Sequence, residues 1–123
     1  MIGRLHHAVF DCPDPAALAD FYSKLLGWPV TYRSSDWVVV AADDTSSGLA
    51  FQLAPDHRPP TWPDPAVPHQ VHFDVMVEDP GAAGPLVLEL GATWLAGDVY
   101  ADPAGHPFCL IKRPRWAPAL PER

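Results

Sequence analysis

Two stretches of the chain alternate apolar and polar positions, and each runs directly into an apolar stripe with helical spacing. Residues 4 to 11 and 70 to 77 place Val, Phe and Met side chains on alternate positions, the two-residue period of a strand with one buried face. Asp14-Pro15 and Asp79-Pro80 follow. Aspartate is a favoured helix N-cap, and proline at the first helical position gives up an N–H that has no partner there anyway. Leu18, Phe21, Tyr22, Leu25 and Leu26 then fall at i, i+3, i+4, i+7 and i+8, the apolar face of a helix that Gly27 stops in the left-handed conformation. A second stripe, Ala83, Leu86, Val87 and Leu90, is weaker, because Gly81, Gly84 and Pro85 lower its propensity. This predicts a helix that is short or distorted at its start.

After each helix the pattern returns to strands. In the first half these are Pro29 to Arg33, Asp36 to Ala41 and Gly48 to Leu53; in the second, Thr93 to Leu95, a short piece near Val99-Tyr100, and Pro107 to Lys112. Turn residues separate them: Ser34-Ser35, the run Asp43 to Gly48, and Asp102-Pro103-Ala104-Gly105. The order β-α-β-β-β therefore occurs twice. Both copies set a histidine, His7 or His72, seven positions ahead of Asp-Pro, and both close on Leu-Gly, at Leu26-Gly27 and Leu90-Gly91. The expectation is one α+β domain over residues 1-123 made of two pseudo-symmetric modules. Module 1 spans about 4-54, a Pro-rich linker 55-68, module 2 about 69-113 and a tail 114-123. Each module's curved mixed sheet should carry its helix on one face and help to form a cleft on the other.

Composition narrows the partners. Against 8 Lys and Arg stand 15 Asp and Glu, a formal charge of -7, so nucleic acid and anionic membrane surfaces are repelled. No apolar run approaches the roughly 20 residues that span a bilayer. No signal-peptide pattern opens the chain, and the expected location is cytoplasmic. The two cysteines, Cys12 and Cys109, are too few for a disulfide framework and are expected to be reduced. Exposed edge strands favour pairing, and a homodimer is expected.

The order of the pieces resembles the vicinal oxygen chelate superfamily of glyoxalases, bleomycin-resistance proteins and extradiol dioxygenases, and more narrowly its compact glyoxalase-like domains. The pieces that carry the resemblance are Leu5-His6-His7-Ala8-Val9-Phe10, Phe21-Tyr22 with Leu25-Leu26-Gly27-Trp28, Val71-His72-Phe73-Asp74-Val75, Leu90-Gly91-Ala92 and Asp102 to Phe108. For metal-dependent members the resemblance implies one ligand from the first and one from the last strand of each module. The matching positions are His7 and His72, then Gln52 in Phe51-Gln52-Leu53 and Cys109 in Phe108-Cys109-Leu110. The family's closing carboxylate is absent. Of the divalent metals, zinc suits two imidazoles and a thiolate best, and a metal-free site is the other reading.

Strand parity sorts the faces. His7, Val9 and Asp11 share one side and His6, Ala8 and Phe10 the other, while His72, Asp74 and Met76 match the first set. The side with His and Asp is expected to line the cleft and the uniformly apolar side to receive the helix. The predicted ligand-binding set is His7, Gln52, His72, Asp74, Cys109, Trp37 and Trp62, the two tryptophans as aromatic walls for a flat or apolar small molecule. The plainer alternatives are partly buried histidines bonded to neighbours, a solvated Asp74 and a packed Cys109. Three functions compete. One is a glyoxalase-type lyase or isomerase acting on a small organic molecule held between the modules. Another is a metal-free sequestration protein of bleomycin-resistance type, and the third a metal-free catalyst with His7 or His72 as base.

Overall fold

The computed structural model of the protein describes residues 1–121. The last two positions of the tail expected at 114-123 lie outside the described residues. The chain divides into two compact units, the first Met1–Arg58 and the second from Pro59 onward. Among the described residues each holds one sheet and one helix.

In the first unit β1 (His7–Cys12), α1 (Pro15–Leu26), β2 (Val30–Arg33), β3 (Trp37–Val40) and β4 (Gly48–Leu53) follow in order. The sheet order is β1-β4-β3-β2, with β1 parallel to β4 and the other pairs antiparallel. The second unit repeats it with β5 (Phe73–Val77), α2 (Pro80–Glu89), β6 (Thr93–Ala96), β7 (Val99–Ala101) and β8 (Pro107–Lys112), in sheet order β5-β8-β7-β6. The β-α-β-β-β order read from the pattern is the order observed.

The helix starts follow their caps. The Asp14 carboxylate accepts from the Ala17 N–H at 3.1 Å and the Asp79 carboxylate from the Gly81 N–H at 2.9 Å, each with proline next in the chain. Gly27 ends α1 at φ 71°. α1 turns Leu18, Phe21 and Tyr22 inward, and Tyr22 stacks on Phe51 of β4 with ring centroids 5.3 Å apart. With Val38 and Val40 these side chains are almost wholly buried, at about 1.5–3 kcal/mol each for the larger ones.

α2 departs from its expected form in two ways. It is continuous from Pro80 to Glu89 although Pro85 lies inside it. The carbonyl that Pro85 leaves without a helical partner belongs to Gly81, which is exposed to water and so is not orphaned. Its buried positions are Gly84 and Val87, whereas Leu86 faces solvent. Gly84 packs inward because a Cβ there would stand 2.5 Å from the Tyr100 hydroxyl of β7. The missing side chain leaves room for the Tyr100 hydroxyl against α2.

The opening strands also begin later than the alternation predicts, at His7 and Phe73 rather than at residues 4 and 70. Gln70 has φ 54°, a left-handed conformation that ends regular extension there. His72 therefore stands just ahead of β5 instead of within it.

Candidate functional site

In the first unit a hollow of about 350 Å³ is lined by His6 and His7 at the start of β1, Thr31 and Tyr32 of β2, Trp37 and Val39 of β3, and Asp43 and Asp44. Two departures from strict alternation build it. His6 lies before β1 begins, so its ring folds beside that of His7, with centroids 3.8 Å apart. Parity had put His6 on the opposite face, and the structure corrects this. The β2–β3 register slips between Val30 and Tyr32, and such a bulge re-aims side chains, so consecutive residues Thr31 and Tyr32 both reach the hollow. Neither His6 nor Tyr32 could be found from a two-residue period, because each depends on a place where that period fails.

His7 is held by the first residue of β4. The Gly48 N–H donates to Nδ1 of His7 at 3.0 Å. A Cβ at Gly48 would stand 2.2 Å from the Val40 carbonyl oxygen, so glycine alone permits this approach. With Nδ1 accepting, the neutral ring carries its proton on Nε2 and presents a donor there. Burial first, and then repulsion from His6, hold His7 below its usual imidazole value, with the neighbouring backbone pulling weakly the other way. The ring is thus neutral at pH 7.

The Asp43 carboxylate accepts from the backbone N–H of Thr45 and of Ser46 and from the Thr45 hydroxyl, each at 2.8 Å. These bonds hold its pKa down to about 2. Asp43 is therefore an anion at any ordinary pH. Aromatic rings, a neutral N–H donor and a fixed negative charge around one hollow suit an aromatic molecule that carries positive charge or accepts hydrogen bonds.

The second unit groups different chemistry. His72, Asp74 and Cys109 each bring one ligating atom to within 4.8 Å of the others. Nε2 of His72 stands 3.5 Å from Oδ1 of Asp74, both side chains being about half exposed at 48% and 54%. Asp74 and Cys109 are register partners across β5 and β8, which puts their side chains on one face. The His69 ring meets His72 edge-on, with centroids 5.5 Å apart. Burial, and then the carboxylates of Asp74 and Asp98, push the Cys109 thiol up, so at neutral pH it is a thiol and not a nucleophilic thiolate.

The four-residue metal set implied by the resemblance fits poorly. His7 offers a proton at Nε2 where a metal needs a lone pair. Gln52 pairs with Asp11 while His7 pairs with Gly48, a separation of four strand residues or about 13 Å, beyond the joint reach of the two side chains. The match of Gln52 to Cys109 is also out of step. β4 and β8 both have six residues and begin at Gly48 and Pro107, so the counterpart of Cys109 is Ala50, and that of Gln52 is Ile111. Of the remaining predicted residues, Trp37 lies with His7 in the first hollow, and Asp74 lies with His72 and Cys109. Trp62 is partly buried in the loop before β5, ahead of a cis peptide bond to Pro63.

One further carboxylate was not singled out by the pattern. Asp102 is almost fully buried; its Oδ1 accepts from the Ala104 and His106 N–H groups, and its Oδ2 lies 2.8 Å from Nδ1 of His106. Its sequence marks are the turn signal at Asp102-Pro103 and its place in the Asp102 to Phe108 piece that carries the resemblance. Both cysteines are thiols, Cys12 wholly buried. Among the described residues no helix is long and apolar enough to cross a membrane.

Comparison with known proteins agrees with the fold. The family model described as a glyoxalase-like domain matches residues 7–111. A glyoxalase-related enzyme from Fulvimarina pelagi superposes with a TM-score of 0.65 at 19% identity, over 94% of this chain and 92% of that one. The trypanothione-dependent glyoxalase I of Leishmania major gives 0.61 at 16%, over 89% and 86%. The bleomycin-binding protein of Streptomyces verticillus, solved with copper(II)-bleomycin, gives 0.55 at 17%, over 93% and 100%. Among curated protein sequences none matches significantly. The neighbours share the fold of the glyoxalase/bleomycin resistance/dioxygenase superfamily, and the extent of the family match settles the assignment: the chain belongs to the glyoxalase-like domain family.

Proposed function

We propose that this protein binds a small, planar organic cation, and that the hollow of the first unit is where it does so. The observation that carries the reading is the lining itself, with Trp37, Tyr32 and the paired rings of His6 and His7 around a space that Asp43 keeps negative. Aromatic faces attract a cation through the ring quadrupole, and the carboxylate adds a charge that no ordinary pH removes. The Nε2–H of His7 then hydrogen-bonds an oxygen or ring nitrogen of the same molecule. Sequestration needs nothing more. The bleomycin-binding neighbour, solved with copper(II)-bleomycin, supports this class of function for the fold.

A lyase or isomerase acting on the bound molecule is the second reading. Its support is the same neutral Nε2–H of His7, a donor suited to a carbonyl oxygen that gains negative charge. The proposal also takes the protein as a cytoplasmic homodimer, and light scattering that returns a single-chain mass removes the dimer from it.

Titrating the protein with a planar aromatic cation of the acridine type, and with a neutral analogue of equal size, tests the main reading. The cation is expected to quench tryptophan fluorescence and to bind more tightly than the analogue, and Trp37→Ala to abolish most of the quenching. Equal affinity for the two probes, or quenching unchanged in Trp37→Ala, refutes it.

A further inference from the structure

We infer that the second unit by itself is a zinc site, with His72, Asp74 and Cys109 as its three protein ligands. The inference is independent of the ligand proposed for the first unit, because no residue is shared between the two sets. It also differs from the ligand set implied by the resemblance, which takes donors from both modules. Here imidazole, carboxylate and thiol all come from β8, β5 and the residue just ahead of β5.

The geometry is close to what zinc requires. In a tetrahedral site with bonds of about 2.0–2.3 Å, donor atoms stand about 3.3–3.8 Å apart. His72 and Asp74 already lie 3.5 Å apart, and all three donors fall within 4.8 Å of one another. The adjustment that remains is about 1 Å, and rotation of two half-exposed side chains supplies it. The backbone holds two of the set together, Asp74 and Cys109 being register partners on adjacent parallel strands, and His72, just ahead of β5, brings its donor atom within 4.8 Å of theirs.

The histidine is left available by a single residue. Stepping back one place from the Phe73–Phe108 pair brings Pro107 opposite His72, the position that Gly48 holds opposite His7. Gly48 donates its N–H to His7, but proline has none to give. The partner of His72 is the carboxylate of Asp74, at a distance too long for a good hydrogen bond. A metal between them satisfies both.

The donor set also selects the metal. One nitrogen, one oxygen and one sulfur suit a borderline ion such as zinc, whereas magnesium and calcium want oxygen throughout. As the Sγ–Zn bond forms, the Cys109 thiol proton passes to water. Thiolate, carboxylate and neutral imidazole then balance the two positive charges of the ion. Three protein ligands leave the fourth position to water.

The test uses the full chain, stripped with chelator and titrated with zinc and with cobalt(II). One zinc per chain is expected, and cobalt is expected to give the near-ultraviolet charge-transfer band of a thiolate ligand. Cys109→Ser should abolish that band, and His72→Ala and Asp74→Asn should each weaken zinc binding on the order of a hundredfold, while His7→Ala leaves it unchanged. Zinc should also protect Cys109 from alkylation, a readout that needs no variant. Cobalt without a thiolate band, alkylation unaffected by zinc, or loss of metal in His7→Ala with His72→Ala still binding overturns the inference.

Discussion

Opposite the opening histidine, the first unit has Gly48 and the second Pro107. That exchange, on one shared topology, divides the chemistry of the two halves. Where the backbone N–H is present it takes the lone pair of Nδ1 and makes His7 a neutral donor facing an aromatic hollow. Where it is missing, His72 stands beside a carboxylate and a thiol. The neighbouring counterparts diverge in the same sense. Asp74 and Cys109 correspond to Val9 and Ala50, neither of which can hold a metal. The sheet topology is the same in both copies, and differences at three facing positions give them different donor groups.

The loops before the closing strands are a second such pair. Asp43 and Asp102 each lie five residues ahead of β4 or β8, and each accepts from backbone N–H groups just downstream. One is fully exposed and the other buried against His106.

The largest expected effect is at Gly48. Gly48→Ala drives a Cβ into the Val40 carbonyl, and a loss of about 3 kcal/mol is expected in chemical denaturation. A loss below about 1 kcal/mol would show that β4 can begin without that close approach. Next comes Asp102→Ala, expected to cost about 2 kcal/mol because buried N–H groups lose their acceptor. Asp43→Ala, with water free to replace the carboxylate, should leave the melting temperature nearly unchanged. Equal losses for the two variants would erase the contrast between the loops. Smaller again is Trp37→Ala, expected to weaken binding of the planar cation roughly tenfold, about 1.4 kcal/mol, with stability little altered.

The arrangement was legible where local pattern decides it. Caps at Asp14 and Asp79, the α1 stripe and the strand order all follow from spacing within one element. The site was legible only in part, because its members depend on register between elements. Phe51-Gln52-Leu53 resembles Phe108-Cys109-Leu110 in composition, yet counting each strand from its pairing with β1 or β5 shifts the match by two residues. His6 and Tyr32 were hidden by a late strand start and a bulge. No single-strand period carries either.

The smallest effect concerns pH. His7 has a folded-state pKa below the usual imidazole value of 6.5, so its contribution to stability is complete above that value and is lost as pH falls through the lower folded value. Over the same window protonation adds positive charge to the hollow, so affinity for a cation should be flat above 6.5 and fall below it. Isothermal titration across that range measures the effect, and affinity that rises on acidification contradicts the assignment of His7.

The division between the halves is tested most directly by nitrogen-15 NMR of the histidine side chains with and without zinc. His7 is predicted to show an Nε2–H tautomer with a hydrogen-bonded Nδ1, unmoved by the metal, while the ring nitrogens of His72 shift on addition of one equivalent. If zinc instead moves His7, or moves the two rings together, the copies have not parted in function and the account is wrong.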